Sequence, residues 1–479
     1  MLQKLAGLDW FLVALYMFGM VGIGLYANRK VKGYEDHILS GRDVPTYYLA
    51  PCLLTTQIGA GSIIGFVGLS YAIGYSGGWW IIGNIFTFIC LALIGAKPLR
   101  RAIKANTLPE WFKLRYDEKC RAFTAITTLI AEIAFTAGQI VGGGLLCNVV
   151  LGWDLSTSIM IFSVVVMIYT VSGGLWAVFL TDFVQMFIMI IGLSAIVIVG
   201  IQMNGGLAGV KSAVPPEYFQ LIRAGELPTV IASVLYSIPA IFCSFDIIQK
   251  VMAAKTPQVA RNSCFWAAGF VVIFAVIIPM IGILGRVIFG DGYPNPEGLT
   301  PDLIATILPT GLKGIAIAAV LATLMSSASA CLIAASSVLA NDLIPKFMKF
   351  DRFTDKQRKT TSMVVTAIMA LLCWALAAFF ESSLGSMELA WTALSCGAFI
   401  PLMFGLLWKK ASSKAAFICM LAGSVTGLVW LFMGNPMGLR PVIPAYIVGI
   451  ATIIIFSNIF PEEYTAQRAM DSGLVESSD

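Results

Sequence analysis

Charge is scarce in this 479-residue chain: Asp, Glu, Lys and Arg together make up 12%, against roughly 25% in ordinary globular domains. A surface with so few ions is for the most part not in contact with water. Histidine is almost missing. His37 is the one imidazole, which removes an H-E-x-x-H zinc site and argues against an imidazole proton relay. Neither a G-x-S-x-G elbow nor a Ser/His/Asp set is credible with His37 alone, and no G-x-x-x-x-G-K-[ST] loop is present to hold ATP. The ten cysteines stand singly, without a C-x-x-C pair. They lie mostly inside apolar runs and read as small core residues, not as a disulfide framework or zinc ligands. The net charge of +5 sits in loops, so it speaks of membrane orientation and not of nucleic acid.

What the chain has is apolar length. Residues of the apolar types make 58% of it, and runs of 18 or more recur, each sufficient for a hydrocarbon core of about 30 Å. Backbone polar groups inside that core need internal partners, so the runs are expected to be helices. The alternating ten-residue pattern of a barrel is not seen. Thirteen spans are expected, at roughly 9–27, 45–75, 78–96, 121–150, 155–171, 176–203, 228–253, 264–290, 310–340, 360–380, 385–408, 413–433 and 440–460. The fifth and sixth are parted only by the turn Ser172-Gly173-Gly174-Leu175. The first run, after Asp9, is too long for a signal peptide and has no A-x-A site, so it is read as the first span.

Of the 31 basic residues, 25 fall in alternate loops and the tail, concentrated in segments 97–121 and 341–361. The opposite loops hold Asp291, Glu297, Asp302, Glu381 and Glu388. This bias places the N-terminus outside and the C-terminus in the cytoplasm, and an odd span count gives the same answer. The tail after Phe460 is polar and short and is expected to be disordered.

Two spans differ from plain lipid-facing helices. Span 45–75 carries Pro51 and Gly59-Ala60-Gly61-Ser62; span 228–253 carries Ser237, Pro239, Ser244 and Asp246. They lie five spans apart, so two five-helix halves would run in opposite orientations, the arrangement in which paired broken helices mark a transporter's midplane site. Gly and Pro also serve close helix packing, which leaves the simpler reading open. In span 310–340, Thr323, Ser326, Ser327 and Ala330 share one helical face. Hydroxyl oxygens are hard, neutral ligands for a weakly held alkali cation, and a broken helix would add carbonyls. Small residues that merely let helices approach give the same pattern. Asp182, Glu132 and Asp246 are carboxylates within apolar runs and must face water, a cation or a partner. A local pair of Asp246 with Lys250, one turn on, is the plain explanation for the last of these.

Three stretches carry a family resemblance. Tyr169-Thr-Val-Ser-Gly173-Gly174-Leu-Trp-Ala177-Val-Phe-Leu-Thr181-Asp182-Phe-Val-Gln185 is similar to S-G-G-x-x-A-V-x-x-T-D-x-x-Q. Asp246-Ile-Ile-Gln249-Lys250-Val-Met-Ala253-Ala254-Lys255-Thr256 is similar to D-x-x-Q-R-x-x-A-A-K-S. The third runs from Leu308-Pro-Thr-Gly311-Leu-Lys-Gly314 to Met325-Ser326-Ser327 and Asn341-Asp342-Leu343. From these the sequence resembles the sodium:solute symporter family, whose members include sodium-coupled proline, sugar, sialic acid and pantothenate carriers.

The resemblance implies an all-α membrane protein of the leucine-transporter-like fold. A leading helix (9–27), two inverted five-helix repeats (45–203 and 228–408) and trailing helices (413–460) would form one transporter domain over 1–460, with 461–479 as a cytoplasmic tail. It also implies a sodium site made of the Ser326 and Ser327 hydroxyls and the carbonyls of Thr55, Ile58 and Thr323. The family usually has Ala at the positions of Thr55 and Thr323, a departure that backbone ligands tolerate. Asp182 matches the acid on the inner cation route. Ser329 is present beside it, but Ala330 replaces a hydroxyl that a second sodium would use. The solute pocket would lie between the broken helices, lined by Gln57, Gly59 and Ser62 on one and Ser237, Ile241 and Ser244 on the other. The arginine with which some members bind carboxylates is absent; that position falls near Phe135.

The expected function is therefore secondary active transport, not enzymatic catalysis. Sodium and a small neutral or zwitterionic solute (an amino acid, osmolyte or sugar) would move together by alternating access, in a multi-pass protein of the cell membrane acting as a monomer. Helix N-termini at the breaks can hold an anionic group of the solute. A monocarboxylate or vitamin carrier, an uncoupled channel and a transporter-like sensor are the alternatives; an intramembrane enzyme lacks a nucleophile–base set. The charge pattern predicts that a cysteine introduced at Lys356 stays unlabelled by an impermeant reagent applied from outside, and labelling there would overturn the orientation.

Overall fold

The computed structural model describes residues 5–294, 298–346, 353–378, 383–436 and 439–475. Glu297, Lys349, Arg352 and Glu381, which enter the charge pattern above, lie outside them, as do the last four residues of the tail and the side chain of Glu388. Among the described residues every regular element is helical, and the one piece of paired extended backbone is an isolated bridge between Val44 and Ala254.

In chain order the main helices are α1 (Gly7–Ala27), α2 (Thr46–Gln57), α3 (Val67–Ile73), α4 (Trp79–Cys90), α5 (Glu118–Leu151), α6 (Leu155–Met203) and α7 (Leu227–Cys243). They continue as α8 (Phe245–Met252), α9 (Pro257–Phe289), α10 (Leu312–Val338), α11 (Asp355–Ala377), α12 (Ser383–Leu407), α13 (Ser413–Phe432) and α14 (Val442–Ile459). Among the described residues nine helices are long and apolar enough to cross a membrane, or ten if the bent pair α7–α8 is one span.

That count falls short of thirteen for visible reasons. The stretches 61–101 and 155–203 run as single helical units of 41 and 49 residues, about 60 and 75 Å long at 1.5 Å per residue. Each is about twice what the hydrocarbon core requires. Each is interrupted by one glycine in a conformation that residues with a Cβ avoid: Gly74 at φ 70°, ψ −146° and Gly174 at φ 53°, ψ −144°. Gly174 lies in the expected turn; Gly74 falls inside the expected span 45–75, one residue short of its end.

The packing is arranged around α10. Of its apolar window, 94% is buried inside the molecule, and it lies against α6, α5, α1 and α11. Its alanines permit this: a Cβ added at Gly192 of α6 would run into Ala319 of α10, the close small-residue approach by which membrane helices associate. Asp9 at the start of α1 is buried and accepts from the first N–H groups of α10, Gly311 N at 2.7 Å and Gly314 N at 2.9 Å. It thereby pairs donors that a helix start leaves free. Large apolar side chains stand exposed in helical register on the outer faces, among them Phe11, Leu15 and Phe18 on α1 and Val425, Val429 and Phe432 on α13. Outward apolar stripes on a buried, partly polar interior are those of a multi-pass membrane protein.

Some residues counted as loop charge are structural. Arg115 is buried and donates to the carbonyls of Gly405 (2.9 Å), Trp408 (3.0 Å) and Ala411 (3.2 Å), closing the end of α12. Arg121 pairs with Asp342 at 2.7 Å. The described part of the tail, to residue 475, carries structure, against expectation: a short helix at Ala466–Asp471 leads to Ser472, whose carbonyl accepts from Trp111 Nε1 at 3.0 Å. His37 is not a loop histidine. It is buried between Ser362 Oγ (3.0 Å) and the Val171 carbonyl (3.3 Å), and burial pushes its imidazole down to about 4, so it is neutral near pH 7.

A Cβ at Gly174 would collide with the His37 carbonyl oxygen, and one at Gly74 with that of Tyr218. Backbone strain of this kind costs about 1–3 kcal/mol before any clash is counted. Gly174→Ala and Gly74→Ala are each expected to lower the thermal stability of the purified protein, whereas Gly152→Ala, with positive φ but open space, should cost less. Equal melting temperatures for all three variants would contradict this account.

Candidate ion and solute site

The first interruption lies at the end of α2. Gln57 is its last helical residue, and Ile58 leaves the helix at φ −98°, ψ 83°. Gly59, Ala60 and Gly61 follow, and the chain resumes as a π-helical turn over Gly61–Phe66 before α3. Gln139 of α5 fixes the break: its Oε1 accepts from Ala60 N at 2.8 Å. Gly59 is required by proximity, because a Cβ there would come within 2.7 Å of Ser327 Oγ and 2.8 Å of Gln139 Nε2. Gln139 was missed from the sequence, though an amide in the apolar run 121–150 was the available signal.

α10 meets this break with its hydroxyl face. Ser326 Oγ donates to the Thr55 carbonyl at 3.1 Å and lies 3.0 Å from the Thr323 carbonyl. Ser327 Oγ donates to the Thr56 carbonyl at 2.9 Å and lies 3.2 Å from the Thr323 carbonyl. The Thr55 and Thr323 hydroxyls turn back onto their own helices, to Cys52 O (3.3 Å) and Val320 O (2.7 Å), so only their carbonyls face the others. Two hydroxyls and three carbonyls, all neutral and all oxygen, thus converge between a half-helix C-terminus and a neighbouring helix. This donor set suits a hard monovalent cation, and the ends of broken helices are where transporters bind sodium. The structure brings Thr55, Thr56, Thr323, Ser326 and Ser327 together, and Ile58 is the point at which the helix opens.

Asp182 of α6 is buried beside this cluster. It accepts from the Cys52 thiol at 2.9 Å and lies 3.7 Å from Lys250 Nζ. Lys250, also fully buried, donates to Cys52 O at 3.3 Å and to Thr56 Oγ1. The simple Asp246–Lys250 pairing is therefore not what forms; Lys250 reaches across to α6 and α2. Its partner could not be chosen from spacing, because both acids are within reach of one flexible side chain.

The second interruption is at Ser244, between α7 and α8, where the pair bends by 51°. Glu132 of α5 caps α8: its Oε1 accepts from Phe245 N (3.1 Å) and Asp246 N (3.3 Å). The candidate solute residues are divided. Ser62 Oγ donates to Gln57 O at 3.2 Å, so those two and Gly59 stand together at the first break. Ile241 and Ser244 are buried at the second, but the Ser244 hydroxyl is taken by Asp246. Ser237 bonds Val234 O at 3.0 Å and lies over Gly83 of α4. An apolar cavity of about 470 Å³, its open mouth included, begins one turn beyond the first break and is lined by Ile63, Ile64, Gly142, Leu145, Val320 and Leu324, among others.

Comparison with known proteins accords with this geometry. A family model described as the sodium:solute symporter family matches residues 37–423. The chain is 27% identical over 463 residues to the sodium/proline symporter of Escherichia coli (strain K12), covering 92% of this chain and 91% of that protein. It is 26% identical over 471 residues to the sodium/glucose cotransporter of Vibrio parahaemolyticus, covering 90% and 86%. Its fold superposes on a substrate-bound, outward-open Na+-coupled sialic acid symporter with a TM-score of 0.86 at 18% identity, over 96% of this chain and 100% of that one. On Mhp1, a nucleobase-cation-symport-1 family transporter in a closed conformation, the TM-score is 0.61 at 12% identity, over 92% and 98%. The match spans most of the chain, the fold is leucine-transporter-like, and the protein belongs to the sodium:solute symporter family, whose work is sodium-coupled symport of small solutes.

Proposed function

We propose that the coupling sodium binds between the first break and α10, held by Ser326 Oγ, Ser327 Oγ and the carbonyls of Thr55, Thr56 and Thr323, with the Ile58 carbonyl available as the break opens. The observation that carries this is the contact of both serine hydroxyls with the last carbonyls of α2, those of Thr55 and Thr56. Sodium takes the place of the two hydroxyl hydrogen bonds there and bridges α2 to α10. Asp182 is the acid on the route by which the ion leaves. The solute occupies the space beside Gln57, Gly59 and Ser62, with Ile241 and Ser244 approaching from the second break, and its apolar part faces the neighbouring cavity. Ser237 is a helix-packing residue in this reading. With no arginine near Phe135 to pair a free carboxylate, the solute is neutral or zwitterionic, and L-proline is the first to test because relatives at 26–27% identity include sodium/proline symporters. A sodium gradient, with roughly 2.3 kcal/mol per charge per 100 mV of membrane potential, supplies the driving force.

The architecture is read as thirteen crossings: α1, two inverted repeats over 45–203 and 228–408, and α13 with α14. The N-terminus is outside, the short tail is cytoplasmic, and the functional unit in the bilayer is a monomer.

Uptake into proteoliposomes under a sodium gradient is expected for L-proline, and to be lost when choline replaces sodium. Transport of succinate uncontested by L-proline or D-glucose would reject the solute class. Ser326→Ala combined with Ser327→Ala should raise the sodium requirement at least tenfold, which corresponds to about 1.4 kcal/mol. Thr55→Ala and Thr323→Ala, which keep the carbonyls, should stay within a factor of about 3, equivalent to about 0.7 kcal/mol. An unchanged sodium dependence in the double variant removes the site.

The Asp182–Lys250 pair gives a separate check. Lys250→Met leaves a buried carboxylate alone, a loss of about 3–5 kcal/mol, so the variant should be recovered folded at much lower yield. Asp182→Asn in the same chain should restore most of the yield. No rescue would show that Lys250 acts through something other than this pair.

A further inference from the structure

Glu132 of α5, Asp246 of α8 and Cys331 of α10 form a second polar cluster, at the break between α7 and α8 and distinct from the serine–carbonyl set. All three are buried, and one carboxylate oxygen from each acid lies with the thiol sulfur inside a 4.8 Å group. Most of their bonding capacity is accounted for. Glu132 Oε1 caps α8 through Phe245 N and Asp246 N. Asp246 Oδ1 accepts from Ile247 N at 2.8 Å and from the Ser244 hydroxyl. Asp246 Oδ2 faces the Cys331 thiol at 3.8 Å. Glu132 Oε2 is left buried without a hydrogen-bond partner.

A buried carboxylate oxygen without a partner, next to a second carboxylate, calls for a cation. The charged and titratable groups facing Glu132 are Asp246 from α8 and Cys331 from α10; Lys250 of α8 faces Asp246, but its ammonium is committed to Asp182, Cys52 and Thr56. Two like charges at this separation do not both stay ionised without compensation. A thiol is a soft ligand ill suited to sodium, and three donors fall short of the five oxygens gathered at the other site. A proton needs only one donor and one acceptor.

We propose that Glu132 and Asp246 share one proton, and that this proton is a second coupled cation, bound at the break of the second interrupted helix. The step is a plain acid–base one: a water-borne proton joins Glu132 Oε2, the pair goes from two negative charges to one, and the new O–H points to the Asp246 carboxylate. Glu132 Oε1 keeps its hold on α8 in both forms. Proton loss sets two carboxylates against each other across the α5–α8 contact and loosens the break, so the proton's comings and goings follow the motion of α8. The proton-binding part stands by itself; the coupling part rests on the symport reading.

Infrared spectra of the purified protein in lipid nanodiscs in sodium chloride, near neutral pH, test the binding. The wild type is expected to show the carbonyl stretch of a buried protonated carboxyl; Glu132→Gln and Asp246→Asn should each shift it, since the remaining acid stays neutral in its buried site but loses its carboxylate partner, and the double variant should lose it. A wild type without that band, or a band left unmoved by both single substitutions, overturns the proposal. Coupling is read in proteoliposomes with a pH dye inside: sodium-driven L-proline uptake should acidify the interior by about one proton per proline. Glu132→Gln, whose amide oxygen still caps α8, should keep sodium-driven uptake without acidification and lose its pH dependence. If instead the ratio of sodium to proline falls from two to one in Glu132→Gln while no proton moves in either protein, the pair holds sodium and the proposal fails. Absence of L-proline uptake altogether would count against the solute reading, while the infrared result still decides the shared proton.

Discussion

A backbone carbonyl inside a membrane protein must be paired, because no water is at hand to do it. Breaking α2 at Ile58 leaves the Thr55 carbonyl with Ile58 N, at 3.2 Å, and sends the Ala60 N–H that would have served Thr56 to Gln139; the hydroxyls of Ser326 and Ser327 donate to these two carbonyls. Much of the molecule serves to put those two hydroxyls there. α10 must run through the centre, so it is made of small residues and packs tightly on α6. Its start must be secured, and Asp9 does so from α1. The break must not collapse, so Gln139 holds Ala60 from α5 and Gly59 leaves the room that two side chains fill. An ion that replaces the hydroxyl donors meets carbonyls already gathered, and little has to be rearranged on binding.

Buried charge follows the same logic. Asp9 and Glu132 each cap a helix start, Arg115 closes a helix end, and Lys250 ties Asp182 to the end of α2. Each charge is placed where a helix stops or bends, which is where backbone dipoles are unpaired and an ion does most good. The Asp182–Lys250 pair also keeps the neighbourhood of the serine–carbonyl cluster close to electroneutral, which in the proposed reading lets a single positive ion enter and leave without a large change in its surroundings.

How much of this was readable in the sequence varied with the kind of signal. The Gly-rich stretch at 59–62 and the serine pair at 326–327 stand out because each breaks a strong apolar pattern, and the turn at 172–175 because two glycines adjoin within an apolar run that is otherwise too long. Partners across space were not readable. Helical spacing shows that Ser237 shares a span with Ser244, but not that it faces Gly83. The bond from Ser327 to the Thr56 carbonyl escaped notice because a carbonyl acceptor leaves no mark on side-chain chemistry. The counts of Lys and Arg that set orientation also included Arg115 and Lys250, which are buried; a window of sequence cannot tell a charge in water from one clamped on carbonyls. The ordered helix in the tail depends on Trp111 receiving Ser472, a contact between residues far apart in the chain.

The bridge between Val44 and Ala254 has a mechanical meaning. Val44 N donates to Ala253 O at 3.2 Å and Lys255 N to Val44 O at 2.9 Å, and the Arg100 guanidinium braces the joint through Ala254 O and Lys255 O. Val44 lies just ahead of α2, and Ala253 directly follows α8. The two half-helices are therefore strapped together at one end, while their other ends open at the two breaks. Such a strap turns them into one lever with two pivots. While it holds, a tilt that starts at Ile58 carries torque to Ser244, and neither half has a stroke of its own.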